Sequence, residues 1–337
     1  MSLRSCMLAA PITASSPLNS GLRPINLSRD VRAVLTLLNL SFGPLRDSHG
    51  RVISDRFSLS QSAPFARRLS MMSRGFVPGF VWEESGRIVG NVTLLESPIR
   101  GRYLVANVAV HPDFRRRGIA RALMHEALAH IESWRGHQVY LQVESDNQAA
   151  LSLYDSLAFQ RRGEVRRWQA AIGKLRLPAP EQSAGTRIRP LRSREWRAAR
   201  DLDRVGFEPD LNWPAPPPAD YYKSGLWQRF GDLLNGRRQE TLVVENSQRS
   251  LIGLADIVSD WGRPHHLRLC ITPEWQGKLA GLLLRAAVER LRRFRGGDVL
   301  FNYPAADRPV ETLFEAAGFQ VRRSLTVMRK NLGQTYS

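Results

Sequence analysis

The stretch Val108–Met124, VAVHPDFRRRGIARALM, decides how the rest of the chain reads. An apolar, strand-like run stops at His111-Pro112, three arginines follow, and a helical pattern starts around Gly118. Cations at a helix start oppose the positive end of its dipole, at roughly 0.3–1 kcal/mol each when exposed. An anion held there by backbone N–H groups would offset them. Gly118 has no side chain and Ala120 has little, so the backbone can close on a phosphate. Arg115, Arg116 and Arg117 would then add counter-charge, bidentate where geometry allows.

The arginine run by itself carries little weight. The chain has 337 residues with 49 Lys+Arg against 31 Asp+Glu, a net charge of +18, and all its lysines are Lys174, Lys223, Lys278 and Lys330. At that arginine density triplets arise from composition alone. The positive charge runs through both halves, with no basic tail, and would attract a polyanion: nucleic acid, an acidic protein segment or a phosphorylated cofactor. Hydrophobic content of 43% is ordinary for globular protein, and the length suits two domains with separate cores. Cys6 and Cys270 are the only cysteines, one in a terminal stretch and one in an apolar run, so neither a disulfide framework nor a thiolate metal site is implied. The histidines show no metal spacing. Residues 1–20 read as a flexible leader, their apolar patch broken by Pro11 and short for a secretory signal. No run approaches a membrane span. A cytoplasmic protein is expected.

An internal repeat organises the chain. Four blocks recur in the same order: from Leu22 and Ile188, from Gly86 and Arg249, from His111 and Thr272, and from Asp146 and Ala306. The period is too long for a solenoid and implies tandem domains. We place them at 21–175 and 187–333, joined by a Pro- and Gly-containing linker at 176–186. Each copy reads as an N-terminal strand, an amphipathic helix (Val31 to Leu40; Glu195 to Val205), and an irregular stretch. A hairpin, a strand and a helix follow, the last with Ile119, Leu123, Ala127 and Ile131 on one face. Another strand, the helix NQAALSLYDSLA and a final antiparallel strand pair complete each copy. Antiparallel pairs followed by strand–helix alternation give an α/β fold with a mixed sheet.

Neither G-x-x-x-x-G-K-[ST] nor a strand-borne G-x-G-x-x-G is present. The order ANVAVHPDFRRRGIARAL, a strand, then DNQAALSLYDSLAF resembles the GCN5-related N-acetyltransferase (GNAT) superfamily, over roughly Leu22 to Leu175. The resemblance implies two tandem acyl-CoA N-acyltransferase domains of mixed α/β fold. It also implies acetyl-CoA as co-substrate, with no metal. Its diphosphate would be held by main-chain groups of Arg116, Arg117, Gly118, Ile119, Ala120 and Arg121, and its pantetheine arm by Val108, Ala109 and Val110. Asn147 matches the family's asparagine at the head of the next helix, and Tyr154 its tyrosine near the thioester sulfur. The implied reaction is direct attack of a neutral amine on the thioester, with Tyr154 protonating the departing thiolate.

The base is the departure. Members that acetylate protein N termini carry a glutamate where this chain has Gln142; Glu144 on the same strand and Glu96 at the hairpin's end are the candidates, acting through water. Weak base catalysis favours an amine that is already partly neutral. At pH 7 an α-amine is roughly 10% neutral and a lysine about 0.04%. In the second copy Leu279 stands at the position of Gly118, where it is expected to crowd the phosphate approach, Asp307 replaces Asn147, and Phe314 replaces Tyr154. That copy reads as having lost catalysis.

Other accounts of the same residues remain. Tyr154 is in register with Ala150, Leu151 and Leu157 and also suits a packed core ring. Asn147 also suits an N-cap, and the arginines a solvated face. The rival function is a non-enzymatic protein that presents a basic surface to RNA or an acidic partner, and transfer of a longer acyl chain is a third reading.

Overall fold

The computed structural model describes residues 20–43, 79–179, 185–206, 210–211, 217–223, 236–294, 296–305 and 308–333. The leader up to residue 19, the irregular stretch after the first helix, residues 180–184 of the linker, and Asp307 lie outside them. Contacts divide the chain into two compact units. The first holds the described residues up to Gly43, those from 79 to Thr93, and Asn107–Ala127; the second holds Leu94–Ala106 and those from Leu128 on.

In the first unit β1 (Gly21–Pro24) runs antiparallel to β2 (Gly79–Glu84), and β2 to β3 (Arg87–Glu96), whose residues from Leu94 belong to the second unit. Ser85 and Gly86 both adopt positive φ, which matches the right-handed strand twist of a two-residue hairpin. Helix α1 (Val31–Phe42) buries Val34, Leu37 and Leu38, the i, i+3, i+4 stripe of an amphipathic helix. After β4 (Arg102–Val110), helix α2 (Ile119–Ser133) buries the expected Ile119, Leu123, Ala127 and Ile131. Helix and hairpin approach closely at Gly90, where a Cβ would lie 2.8 Å from Ile119 Cγ2.

The second unit contains β5 (Gln138–Glu144), α3 (Gln148–Ser156), β6 (Gln160–Ala171), β7 (Arg187–Pro190), α4 (Trp196–Val205), β8 (Arg237–Glu245) and β9 (Leu251–Asp260). It continues with β10 (His265–Ile271), α5 (Ala280–Leu291), β11 (Asp298–Pro304), α6 (Arg308–Ala316) and β12 (Gln320–Asn331). Its sheet runs β4-β5-β12-β6-β11-β10-β9-β8-β7. Only β4–β5 and β10–β11 are parallel, so the sheet is mixed as expected. Among the described residues no helix is long and apolar enough to cross a membrane.

The duplication is visible in packing as well as in sequence. Arg23 on β1 donates to Asp30 at 2.6 Å and to Glu83 on β2 at 2.6 Å; Arg189 on β7 donates to Glu195 at 2.7 Å and to Glu245 on β8 at 2.7 Å. Gly253 on β9 admits Leu283 of α5 in the way that Gly90 admits α2.

One expectation is corrected. The final antiparallel pair does not form inside each copy. Each copy ends in one long strand, and the two strands are exchanged. β12, from the second copy, pairs with β5 of the first from Leu325↔Glu144 to Asn331↔Gln138. β6, from the first, pairs with β11 of the second from Asp298↔Ala171 to Pro304↔Val165, and β6 and β12 pair with each other. The exchange saturates ladder groups that a single terminal strand per copy would leave bare at an edge. It also carries Trp168 of β6 into the second copy's core, 1% exposed, with its ring stacked on Phe301 at 6.2 Å and edge-on to Phe314 at 5.2 Å.

Candidate functional site

The phosphate-loop residues lie in the first unit. His111 ends β4, its N–H donating to Val89 O at 2.8 Å. Its ring sits between an Arg87 terminal nitrogen, 2.6 Å from Nε2, and the Asp113 amide, which donates to Nδ1 at 3.3 Å. Residues Pro112–Phe114 form a single tight turn, and Arg115 N–H donates to Pro112 O. The chain then passes through two left-handed residues, Arg116 (φ +64°) and Gly118 (φ +79°), before α2 begins. Among the described residues nothing accepts a hydrogen bond from the amides of Arg116, Arg117, Gly118, Ile119 or Ala120. Successive free N–H groups over such turns form a concave anion nest, reinforced here by the helix dipole. No atom lies within 4 Å of where a Gly118 Cβ would sit, so the mouth is open.

The three arginines are exposed, and two are already tethered. Arg115 Nε donates to Val110 O at 3.1 Å, Arg117 donates to Asp113 O at 3.3 Å, and the Arg117 guanidinium lies 4.8 Å from the Phe114 ring centroid. Their positive charge is thereby held around the loop rather than spread into solvent.

β4 pairs with β5 from Arg102↔Gln138 to Leu104↔Tyr140 and continues to Val110. Asn107 interrupts it with φ +54°, its carbonyl accepting from Asn91 Nδ2 at 2.9 Å. Val108 and Val110 are half-buried and Ala109 is buried. The sequence reading missed Asn107; its signal is an asparagine, tolerant of left-handed backbone, inside an apolar strand.

Tyr154, Asn147, Glu144 and Glu96 lie in the second unit. Asn147 caps α3, its side chain accepting from Ala150 N at 3.1 Å. Tyr154 is 6% exposed and packs edge-on to Phe159, and no described residue shares a hydrogen bond with its hydroxyl. Burial pushes its pKa up to about 12, so the phenol keeps its proton at physiological pH. Glu144 is engaged by Arg323 of β12, whose Nε donates to Oε1 at 2.6 Å. This partner lies 179 positions away and arrives through the exchanged strand, so no local pattern announced it. Glu96 is exposed at the end of β3.

The second copy's loop differs in a way that corrects one expectation. Gly277 has φ +78°, as Arg116 does, but Leu279 has φ −114° where Gly118 has +79°. Its side chain does not crowd the loop mouth. It is fully buried against α5 and Gly253. The nest is lost because the backbone turns the other way to sink an apolar side chain. The Lys278 amide, moreover, is already donated to Trp275 O. Phe314, at the position of Tyr154, is completely buried among aromatic rings.

With the loop, strand β4 and the mixed sheet described, comparison with known proteins shows what the chain is similar to. Residues 50–159 match the model of the Acetyltransferase (GNAT) family. It is 45% identical over 71 residues to the N-alpha-acetyltransferase RimI of Mycobacterium tuberculosis, an alignment covering 21% of this chain and 43% of that protein. It is 30% identical over 157 residues to the mycothiol acetyltransferase of Kocuria rhizophila, covering 45% of this chain and 49% of the relative. The matches thus span less than half the length of these curated relatives. Two solved structures share the fold over nearly the whole chain. A GCN5-related N-acetyltransferase from Sphaerobacter thermophilus has a TM-score of 0.61 at 17% identity, covering 92% of this chain and 95% of that one. A tandem GNAT protein from the clavulanic acid biosynthesis pathway has a TM-score of 0.53 at 16% identity, covering 94% and 100%.

Proposed function

We propose that the protein is an acetyl-CoA-dependent N-acetyltransferase whose first copy moves an acetyl group to a primary amine by direct attack. The observation that carries this is the run of amides from Arg116 to Ala120 without a described acceptor, with left-handed backbone at Arg116 and Gly118 and open space beside Gly118. That arrangement suits a diphosphate, and the second copy lacks it. The amides would hold the diphosphate, with Arg115, Arg117 and Arg121 lowering the local potential for an anion. The backbone of Val108–Val110 would orient the acyl arm. When bound, acetyl-CoA supplies an activated acyl carbon and a thiolate leaving group.

Tyr154 holds a proton on Oη and would give it to that thiolate. A thiol of ordinary pKa about 8.5 leaves readily, so the gain is about 10²-fold or less. The base is weak: Glu144 is tied to Arg323 and Glu96 is solvated. An acceptor that is already partly neutral therefore suits the site, which supports protein α-amines or small amines over lysine side chains. Calorimetry with acetyl-CoA, followed by thiol release with α-amino peptides, lysine peptides and small amines, tests this. Micromolar binding and turnover on the first and third classes are expected. No affinity for acetyl-CoA, or equal rates on lysine peptides near neutral pH, would overturn it.

A further inference from the structure

The second copy has lost its phosphate loop but keeps an opening between its parallel strands. β10 pairs with β11 only at His265↔Val299 and His266↔Leu300, and from Leu267 the two diverge. A cavity of about 310 Å³ lies there. Its polar wall follows from register: Arg268 is opposite Asp256, and Arg167 of β6 is opposite Asn302 of β11. Arg167 belongs to the first copy and reaches this cavity only because β6 is exchanged.

Part of the wall is already satisfied. Asp256 is 1% exposed and accepts from Thr241 Oγ1 at 2.6 Å, Tyr221 Oη at 2.8 Å and Gln239 Nε2 at 3.0 Å. Arg268 Nε donates to Asp203 at 2.6 Å. Three donors are not. Half-buried Arg167 gives only Nε, to Asn302 Oδ1 at 3.1 Å, and has no carboxylate within ion-pairing distance among the described residues. Neither the Asn302 amide nitrogen nor the His266 ring hydrogen-bonds to a described residue. Burial lowers the Arg167 pKa, Arg323 across the strand pair lowers it further, and Glu144 offsets part. A desolvated cation without a counter-ion is costly unless an anion joins it.

We propose that this cavity binds the oxyanion group, carboxylate or phosphate, of a small molecule, through the Arg167 guanidinium, the Asn302 amide and the His266 ring. The guanidinium fork suits either oxyanion in bidentate geometry. The volume of about 310 Å³ lies at the small end of ligand pockets. This site is independent of the acetyl-CoA reading, since none of its residues belongs to the loop at Gly118.

The full chain is titrated with succinate and with inorganic phosphate by calorimetry, in a Gly118→Ala background that disables the other anion nest. One probe is expected to bind at about 1 mM or tighter, and its identity distinguishes carboxylate from phosphate. Arg167→Gln should weaken it about tenfold or more and leave acetyl-CoA binding of the otherwise unaltered chain unchanged. If Arg167→Gln does not fold, His266→Ala, at the exposed cavity mouth, takes its place with a several-fold loss expected. Absence of binding by both probes up to about 10 mM, or undiminished binding in the folded variant, would overturn the proposal.

Discussion

Trp168→Ala is the sharpest test of the exchanged strands, because the residue belongs to one repeat and its packing to the other. Trp168 is 1% exposed, packed against Phe314 and against its strand partners Phe301 and Val321. Truncating a buried aromatic to alanine costs about 3–5 kcal/mol through lost transfer energy and the cavity left behind. That is a large part of the roughly 5–15 kcal/mol that holds a domain together. Trp168 shares one core cluster with the buried residues of α5 and α6, so the loss should fall on them. Hydrogen exchange read by mass spectrometry should show protection in Ala280–Leu291 falling by about 10²-fold to a few thousand-fold, using 1.4 kcal/mol per tenfold change. Protection in Val31–Phe42 should change by no more than a few-fold. Loss confined to α1, with α5 untouched, would mean that β6 closes its own copy and that the exchange is wrong.

At Gly118 an alanine meets no atom, so its cost to folding is only the left-handed backbone, about 1–2 kcal/mol, while its methyl intrudes where the amides face. Acetyl-CoA affinity should fall about 10- to 100-fold by calorimetry, the loss of one or two charge-assisted hydrogen bonds. The reverse exchange, Leu279→Gly, should not restore binding and should lower stability by about 2–5 kcal/mol in a urea melt, since it empties a buried site. Tyr154→Phe should lower kcat by about 10²-fold or less with acetyl-CoA affinity unchanged. Because the wild-type phenol titrates near 12, the rate should climb from pH 6 to 9 as the amine deprotonates, with no falling limb from Tyr154 below about pH 11. At the acid end, Asp30 matters. Burial by itself would raise its pKa, but Arg23, the Asn26 amide and Arg29 outweigh that and hold it at about 2. Its contribution, on the order of 2 kcal/mol, is complete above the unfolded value near 3.9 and is lost as pH falls towards 2. Asp30→Asn should flatten thermal stability across that window.

The primary structure alone established the tandem repeat, the mixed α/β class and the loop. Each depends on local information: apolar period, glycine placement, and side-chain types at fixed spacing. The buried face of α2, the extent of β4 and the capping role of Asn147 were all legible in that way. Three things came from tertiary structure. Strand partners depend on which free edge is nearest in space, and β6 and β12 look alike along the chain, so their exchange left no mark in either repeat. Arg323 reaches Glu144, and Arg167 reaches the cavity of the other copy, only through that exchange. Leu279 reads as an obstruction in the linear pattern, yet it is swallowed by the core, because a backbone freed from positive φ can turn an apolar side chain inward. Contacts between residues far apart in sequence are set by packing, and packing exists only once the chain has folded.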